Sequence, residues 1–345
     1  MKSNDKIAFL DPSNKDWKSF VSNHPEANIF HHPRWIEFLA ECYGYEPTII
    51  TAKNAEGKIK AGIPLIKVTS YLTGNRWISL PFSDHCMPLF SDNKSLLLLT
   101  KKLTQIHKEN NLKIELRWEY PQIHTKYFDS KHVLDILPLA TNTEEIFYNI
   151  QKRTRKYIKA AEKTNLVIKS GNSNSFIRQY YQLQVLTRQR HGIPVQPRKF
   201  FDLLGERILE NNLGKVLLVY HNDECIAGKV ILYWNKTLTF KYSASKTAFW
   251  DLNPNHLLSW EAIKWSIENN FRQIDMGRSA KSNEGLRRYK SKWGTKEREL
   301  IYTTLPGPSN TTKSGRIMKM MNIVIRKSPL FVTKIVGELI YKHFA

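Results

Sequence analysis

One structural plan occurs twice in this chain, and nothing else in the sequence limits its fold as much. "EPTIITAKNAEGKIKAGIPLIKV", residues 46–68, reads as a strand, a Gly-containing turn and a second strand, with β-branched and apolar residues on both arms. "GKVLLVYHNDECIAGKVILYW", residues 214–234, reads the same way, and its Ala227-Gly228 follows Ala61-Gly62 by 166 positions. A third strand is predicted after each hairpin, in "NRWISLPF" (75–82) and "KTLTFKYSAS" (236–245). Each half then offers a helix feeding a strand. "SLLLLTKKLTQIHKENNLKIELRW" (95–118) parallels "HLLSWEAIKWSIENNFRQIDMG" (256–277), with Glu-Asn-Asn triplets 159 positions apart. Helices are also predicted ahead of each hairpin, at 33–44 and 196–212.

The order helix, three-stranded meander, helix, strand, used twice, predicts two α/β domains of about 150 residues each. We place them at 1–142 and 143–310, followed by a tail at 311–345. The join is predicted as one basic helix over 143–164, opening at Thr143 shortly before Glu145. On it Lys152, Arg155, Lys156, Lys159 and Lys163 share one face, while Ile150, Tyr157, Ile158 and Ala161 share the other.

The chain is 41% hydrophobic and 12% aromatic, enough apolar material for cores of this size and unlike a disordered sequence. Cys42, Cys86 and Cys225 are far apart and odd in number, with no CxxC or His/Cys spacing, so neither a disulfide framework nor a metal site is expected. The first residues hold only four consecutive apolar positions, short of a signal peptide. No uncharged apolar run approaches the roughly 18 residues of a membrane span, so a cytoplasmic location is expected. Net charge is +22, and it is unevenly spread. Segments 149–163 and 281–298 each carry net +5, and 311–345 carries +6. Clusters of this kind favour anionic partners: phosphates, nucleic acid or an anionic membrane face.

The second cluster contains "NEGLRRYKSKWG" (283–294), which packs Arg287, Arg288, Lys290 and Lys292 around Tyr289 just after the buried strand "IDMGRSAKS". Together with "FHHPRWIEFLAECYG", "RTRKYIKAAEKTNLVI", "YYQLQVLTRQRHGIPVQPRKFFDLL", "SASKTAFWDLNPNHLLSWEAIKW" and "IYTTL", it gives the chain its resemblance to a known family. The order and spacing of these pieces resemble the FemAB-like transferases, and in particular the FemAB-like proteins associated with exopolysaccharide and exosortase systems. The resemblance implies an α/β fold of two tandem GNAT-like (acyl-CoA N-acyltransferase fold) domains, here with a C-terminal amphipathic helical tail. It also implies transfer of an acyl or aminoacyl group onto an amine of a phosphate-bearing cell-envelope or polysaccharide precursor. Characterised relatives use aminoacyl-tRNA, and some carry a coiled-coil insertion that this chain lacks. The co-substrate therefore stays open between acyl-CoA and aminoacyl-tRNA, and no tightly bound cofactor is expected.

Residue by residue, the family's late aromatic–Lys pair falls on Tyr289-Lys290, which the resemblance puts near the reacting groups. Arg153, Arg155 and Lys156 fall where relatives contact substrate phosphate. Acyl transfer to an amine passes through a tetrahedral oxyanion, and a fixed ammonium helps most there, which is the role expected of Lys290. Arg287 is expected on phosphate or as a solvating charge of the loop. For Arg278, at a strand end beside Gly277, a contact with Asp275 and substrate binding are both open. Gly277 can take a backbone shape closed to other residues. In "LNPNHLLSW", Asn253 is expected to cap a helix whose first turn holds Pro254, and Asn253 and Asn255 to bind the donor's pyrophosphate. The glycine-rich loop by which ordinary GNAT enzymes cradle coenzyme A is missing there. His191, read in a loop, is the candidate base or amine-positioning group. His31, His32 and His85 have no assigned role, and Trp35, Trp77, Trp118, Trp260 and Trp265 are expected in cores.

In the tail, Ile317, Met321, Val324, Phe331, Ile335, Val336 and Leu339 recur at helical spacing, with Ser328-Pro329 expected to split it into two helices. Basic residues fill the other positions. The pattern fits either a helix lying on an anionic bilayer or one packed on the second domain. A non-catalytic RNA- or tRNA-binding protein and a membrane-associated scaffold are the alternative readings of the same basic surfaces.

Overall fold

Two short signals start the first helices. The Asn14 side chain accepts the amides of Asp16 and Trp17 and opens α1 (Lys15–Asn23). Pro33 opens α2 (Pro33–Tyr43), which stops on Gly44 at φ +69. In the computed structural model, which describes residues 5–71, 74–120, 128–307 and 321–344, these helices belong to the first of two compact units. That unit is Met1–Val133 with Glu299–Asn310 and Lys342–Ala345, and the second is Leu134–Arg298 with Thr311–Tyr341. The division thus falls at 133/134 and the tail as far as Tyr341 groups with the second unit, where the sequence suggested 142/143 and a separate tail.

In the first unit β1 (Lys6–Leu10), β2 (Glu46–Lys53) and β3 (Ile59–Val68) form an antiparallel meander. β4 (Arg76–Ile78) continues it, β5 (Leu89–Phe90) pairs with β3, and β6 (Lys113–Leu116) lies parallel to β4. The strand expected over 75–82 stops at Ile78, because Leu80 and Phe82 take φ of 58 and 57, outside any strand conformation. α3 (Asn93–Asn110) sets Leu96, Leu99 and Leu103 against Ile63 and Leu65 of β3 and Ile114 of β6. Gly62 lies under Trp17, where a Cβ would stand 2.7 Å from the indole.

The second unit repeats the plan. α4 (Thr143–Asn149), α5 (Lys152–Glu162) and β8 (Leu166–Gly171) lead into the long α6 (Asn174–His191) and short α7 (Arg198–Leu203). β9 (Gly214–His221), β10 (Glu224–Trp234) and β11 (Thr237–Ser245) form the antiparallel meander beside β8. α8 (Pro254–Glu268) then feeds β12 (Gln273–Ala280), and β7 (Phe128–Pro138), which enters this unit at Leu134, neighbours β12. Gly228 is crowded as Gly62 is, here by Tyr180 of α6 and Leu218. The expected helix 196–212 is α7 running on into a π-helical stretch, Leu204–Leu209.

The single helix expected over 143–164 is two. Ile150 turns to ψ 137 and buries its side chain in the core, and the Gln151 amide bonds to the Lys292 carbonyl, which breaks the helix there. Asn142, and not Thr143, is the cap, accepting the Glu145 amide. In the tail, residues 321–327 are helical and α10 (Leu330–Ile340) follows the expected break at Ser328-Pro329. α10 packs on α6, with Gly337 so close to the Val195 carbonyl that a Cβ would be 2.0 Å away. Val324, Phe331, Ile335 and Leu339 remain more than half exposed. The Pro- and Ser-rich link at 308–315 and Ile317 lie outside the described residues.

Candidate active site

The parallel pair β11–β12 is hydrogen-bonded only from Thr237–Gln273 to Thr239–Asp275. Beyond that point both strands continue, to Ser245 and Ala280, without pairing to each other, so the sheet opens. Gly277 stands on one lip of the opening at φ +76, with its amide bonded 2.7 Å to Asp275 Oδ1. The positive φ is one that only glycine adopts freely, as the sequence suggested. After β12 comes α9 (Glu284–Ser291), started by Asn283, whose side chain accepts the Leu286 amide.

Lys290 projects from the last turn of α9 into the protein, leaving 4% of its surface exposed. Its Nζ donates to the Gly277 carbonyl at 2.5 Å and stands 3.2 Å from Asp135 Oδ2. Ser279 Oγ donates to the same oxygen at 3.1 Å, while Asp135 Oδ1 is buried with no hydrogen-bond partner. Gly277 and Asp135, from neighbouring strands, thus fix the ammonium, and Ser279 holds the carboxylate. An ammonium has three donors, so two contacts leave one N–H. Tyr289, beside it, packs against His256 and Trp293, and burial raises the pKa of its phenol.

Behind the other lip, which β11 forms, stands a second buried lysine. Lys229 of β10 is 5% exposed, its Nζ 3.0 Å from Ser259 Oγ of α8 and 3.8 Å from the ring centre of Phe240. Phe240 is the first residue of β11 past the last pair with β12. No carboxylate pairs with Lys229 among the described residues. Burial, with the Lys290 ammonium adding to it, pulls its pKa down to about 7. His256, stacked on Trp293 and against Tyr157, is likewise pushed down, to about 4, by burial and then by Lys292 and Lys229.

Sequence reasoning missed Lys229 and Asp135. Each stands singly in an apolar strand, "IAGKVIL" and "HVLDIL", and reads there as a solvent-facing position. The internal repeat carried a usable signal for Lys229, since the residue after Ala61-Gly62 is Ile63, wholly buried.

The remaining expected residues are more scattered. Arg153 is exposed and bonds Tyr157 through Nε at 2.7 Å, and Lys156 is exposed. Arg155 lies over the rings of Phe147 and Tyr148, with Nε buried and unpartnered. Arg287 makes a two-pronged contact with Glu297, at 2.9 and 2.8 Å, and bonds the Lys281 carbonyl, which orders the loop. Arg278 is exposed. Asn253 takes φ +55 and turns its amide to the Asp251 carbonyl, so it makes no side-chain cap on α8. Asn255 instead bonds Ser245 Oγ at 3.0 Å. His191 is the last residue of α6 rather than part of a loop, and its pKa is lowered by burial and by Arg190, Arg188 and Arg326. Trp35 and Trp260 are core residues, with Trp77, Trp118 and Trp265 packed at core edges.

Comparison with known proteins agrees with this architecture. The acetyltransferase (GNAT) domain family matches residues 147–291. A UDP-N-acetylmuramoylpentapeptide-lysine N(6)-alanyltransferase of Weissella viridescens is 20% identical over 44% of this chain, a match spanning 41% of that protein. A lipid II:glycine glycyltransferase of Staphylococcus haemolyticus (strain JCSC1435) is 19% identical over 84% of this chain and 90% of its own length. Among solved structures, that of FemX superposes with a TM-score of 0.67 over 90% of this chain and all of FemX, at 15% identity. With the same helix–meander–helix–strand plan in both units, these similarities give the chain a GNAT domain and a tandem GNAT-like fold similar to that of the FemAB-like transferases.

Proposed function

We propose that the chain transfers an aminoacyl or acyl group from an activated ester or thioester to an amine of a phosphate-bearing envelope or exopolysaccharide precursor. Lys290 stabilises the tetrahedral oxyanion of that step. The main support is the position of its Nζ: buried at the lip of the β11–β12 opening, held by Asp135 and Gly277, and with one N–H uncommitted. A donor fixed before the reaction needs no reorganisation when negative charge develops, and losing one such donor raises the barrier by about 3–4 kcal/mol. Tyr289, its neighbour in sequence, packs against His256 and Trp293.

Arg153, Arg155 and Lys156 on α5 hold the acceptor's phosphates, with Arg278 and Arg287 contributing charge and His191 positioning the amine. The donor's phosphates lie near Asn253 and Asn255 at the start of α8. The relatives' names, an alanyl- and a glycyltransferase acting on a muramoylpentapeptide and on lipid II, favour an aminoacyl group as the one transferred and a lipid-linked or nucleotide-linked precursor as acceptor. The exposed Phe331, Ile335 and Leu339, flanked by Arg326, Lys327 and Lys334, suit contact with an anionic membrane carrying such an acceptor. Among the described residues no helix is long and apolar enough to cross a membrane.

Mass spectrometry of envelope and polysaccharide precursors, from cells with and without the protein, tests the proposal. A mass increment equal to one acyl or aminoacyl group on a precursor is expected, and identical precursor masses contradict it. Ribonuclease added to the reconstituted reaction then tests the donor: it abolishes transfer from aminoacyl-tRNA and leaves transfer from acyl-CoA intact.

A further inference from the structure

The two buried lysines at the β11–β12 opening differ in their partners. Lys290 has a carboxylate, and a carbonyl beside it. Lys229 has a hydroxyl and an aromatic face only. An ammonium buried without an anion is costly and sheds its proton, whereas one held by a carboxylate keeps it. Two amines in one opening, with environments that separate their protonation, are suited to opposite jobs.

We propose that Lys229, as a neutral amine, is the proton acceptor for the incoming amine in the transfer reaction. The proposal rests on the functional reading given above and adds the base that this reading lacks. The acceptor's ammonium gives one proton to Lys229 Nζ, and the free amine attacks the donor's carbonyl carbon. A C–N bond forms as the carbonyl π pair moves to oxygen, where Lys290 meets it. Collapse breaks the bond to the leaving oxygen or sulfur, which takes the second proton of the attacking nitrogen. Lys229 then releases its proton to solvent.

The groups facing Lys229 fit this role. Ser259 and His256 come from α8, Lys290 from α9 and Phe240 from β11, while Tyr289 of α9 reaches Ser259 at 3.5 Å. Ser259 sends its own proton to the Asn255 carbonyl at 2.8 Å, so its oxygen accepts from Lys229 and orients the amine. His256 is itself neutral near pH 7 and adds no charge. Lys290 is the one ammonium among the groups named here, and it disfavours a second.

The test uses the full chain labelled with 13C at lysine Cε. In wild type one lysine titrates near pH 7, and that resonance is missing from Lys229→Met. With the donor and acceptor identified by the precursor mass increment, kcat in wild type rises with pH through an apparent pKa near 7. Lys229→Met lowers it about 100-fold and flattens the profile. Lys229→Arg restores charge and bulk but cannot give up a proton, and stays as slow as the Met variant. Added ethylamine partly rescues Lys229→Ala. A role in packing or fixed charge would instead let Arg restore the rate. That result, or no lysine titrating below pH 9, overturns the proposal and leaves the Lys290 reading standing. Absence of any transfer by wild type overturns both.

Discussion

The two halves of the chain use the same hairpin and differ most tellingly at the residue after its shared Ala-Gly. In both, the glycine lies under an aromatic ring of the preceding helix, Trp17 in one and Tyr180 in the other. The next side chain points to the opposite face. In the first unit it is Ile63, among Leu96, Leu99 and Ile114. In the second it is Lys229, on Ser259 and Phe240. The frame therefore accepts an aliphatic side chain at this place and gains burial energy from it. A buried amine there weakens the fold, and such departures concentrate where a protein does chemistry.

Exchanging the two residue types probes that difference, and the largest effect is expected in the first unit. Ile63→Lys puts an amine among Leu96, Leu99 and Ile114, and should cost about 3–5 kcal/mol in chemical denaturation. Tolerance of that lysine would show the position to be undemanding and would weaken the comparison. The converse change, Lys229→Met, should stabilise the protein by about 1–4 kcal/mol while slowing transfer.

The pH dependence of that gain has a definite sign. The folded pKa of about 7 lies below the ordinary 10.5, so between those values the unfolded chain holds a proton that the folded one lacks. Wild-type stability therefore rises with pH across that window relative to the variant. The Met advantage is greatest below pH 7 and fades toward pH 10.5, and a gain independent of pH would mean that Lys229 is not buried as an amine.

Gly62→Ala and Gly228→Ala sharpen the part the halves share. Each new methyl meets a neighbour, Trp17 at 2.7 Å or Tyr180 and Leu218 at 2.9 Å, so both should lose about 1–3 kcal/mol. A loss in only one half would mean that the repeated Ala-Gly is not performing the same packing task twice. The smallest effect is at the loop charge: Glu297→Gln frees Arg287 at the surface and should leave the denaturation midpoint nearly unchanged.

How much the sequence revealed follows the same contrast. The repeated hairpins, the helices after them and the break at Ser328-Pro329 were legible, because period, turn glycines and proline act locally. Lys290 was singled out by the aromatic–Lys pair, and the structure buries it in the last turn of α9 rather than at the end of the strand. Its partner Asp135 was not, since it lies 155 positions away and meets Lys290 only through strand order. Lys229 was hidden because alternation makes a lone lysine in a strand look solvated. α8 covers that face, a tertiary fact. The two helices at 143–149 and 152–162 merged into one because the basic stripe continues past Ile150, whose turn is set by core packing and by Lys292.

The most direct measurement is single-turnover transfer by Lys290→Met, in donor and acceptor at saturating concentrations, beside wild type. Oxyanion stabilisation by Lys290 predicts a step slowed about 100- to 1000-fold with donor and acceptor affinities unchanged. A variant that transfers at the wild-type rate, or whose loss lies wholly in binding, would contradict an oxyanion role for Lys290.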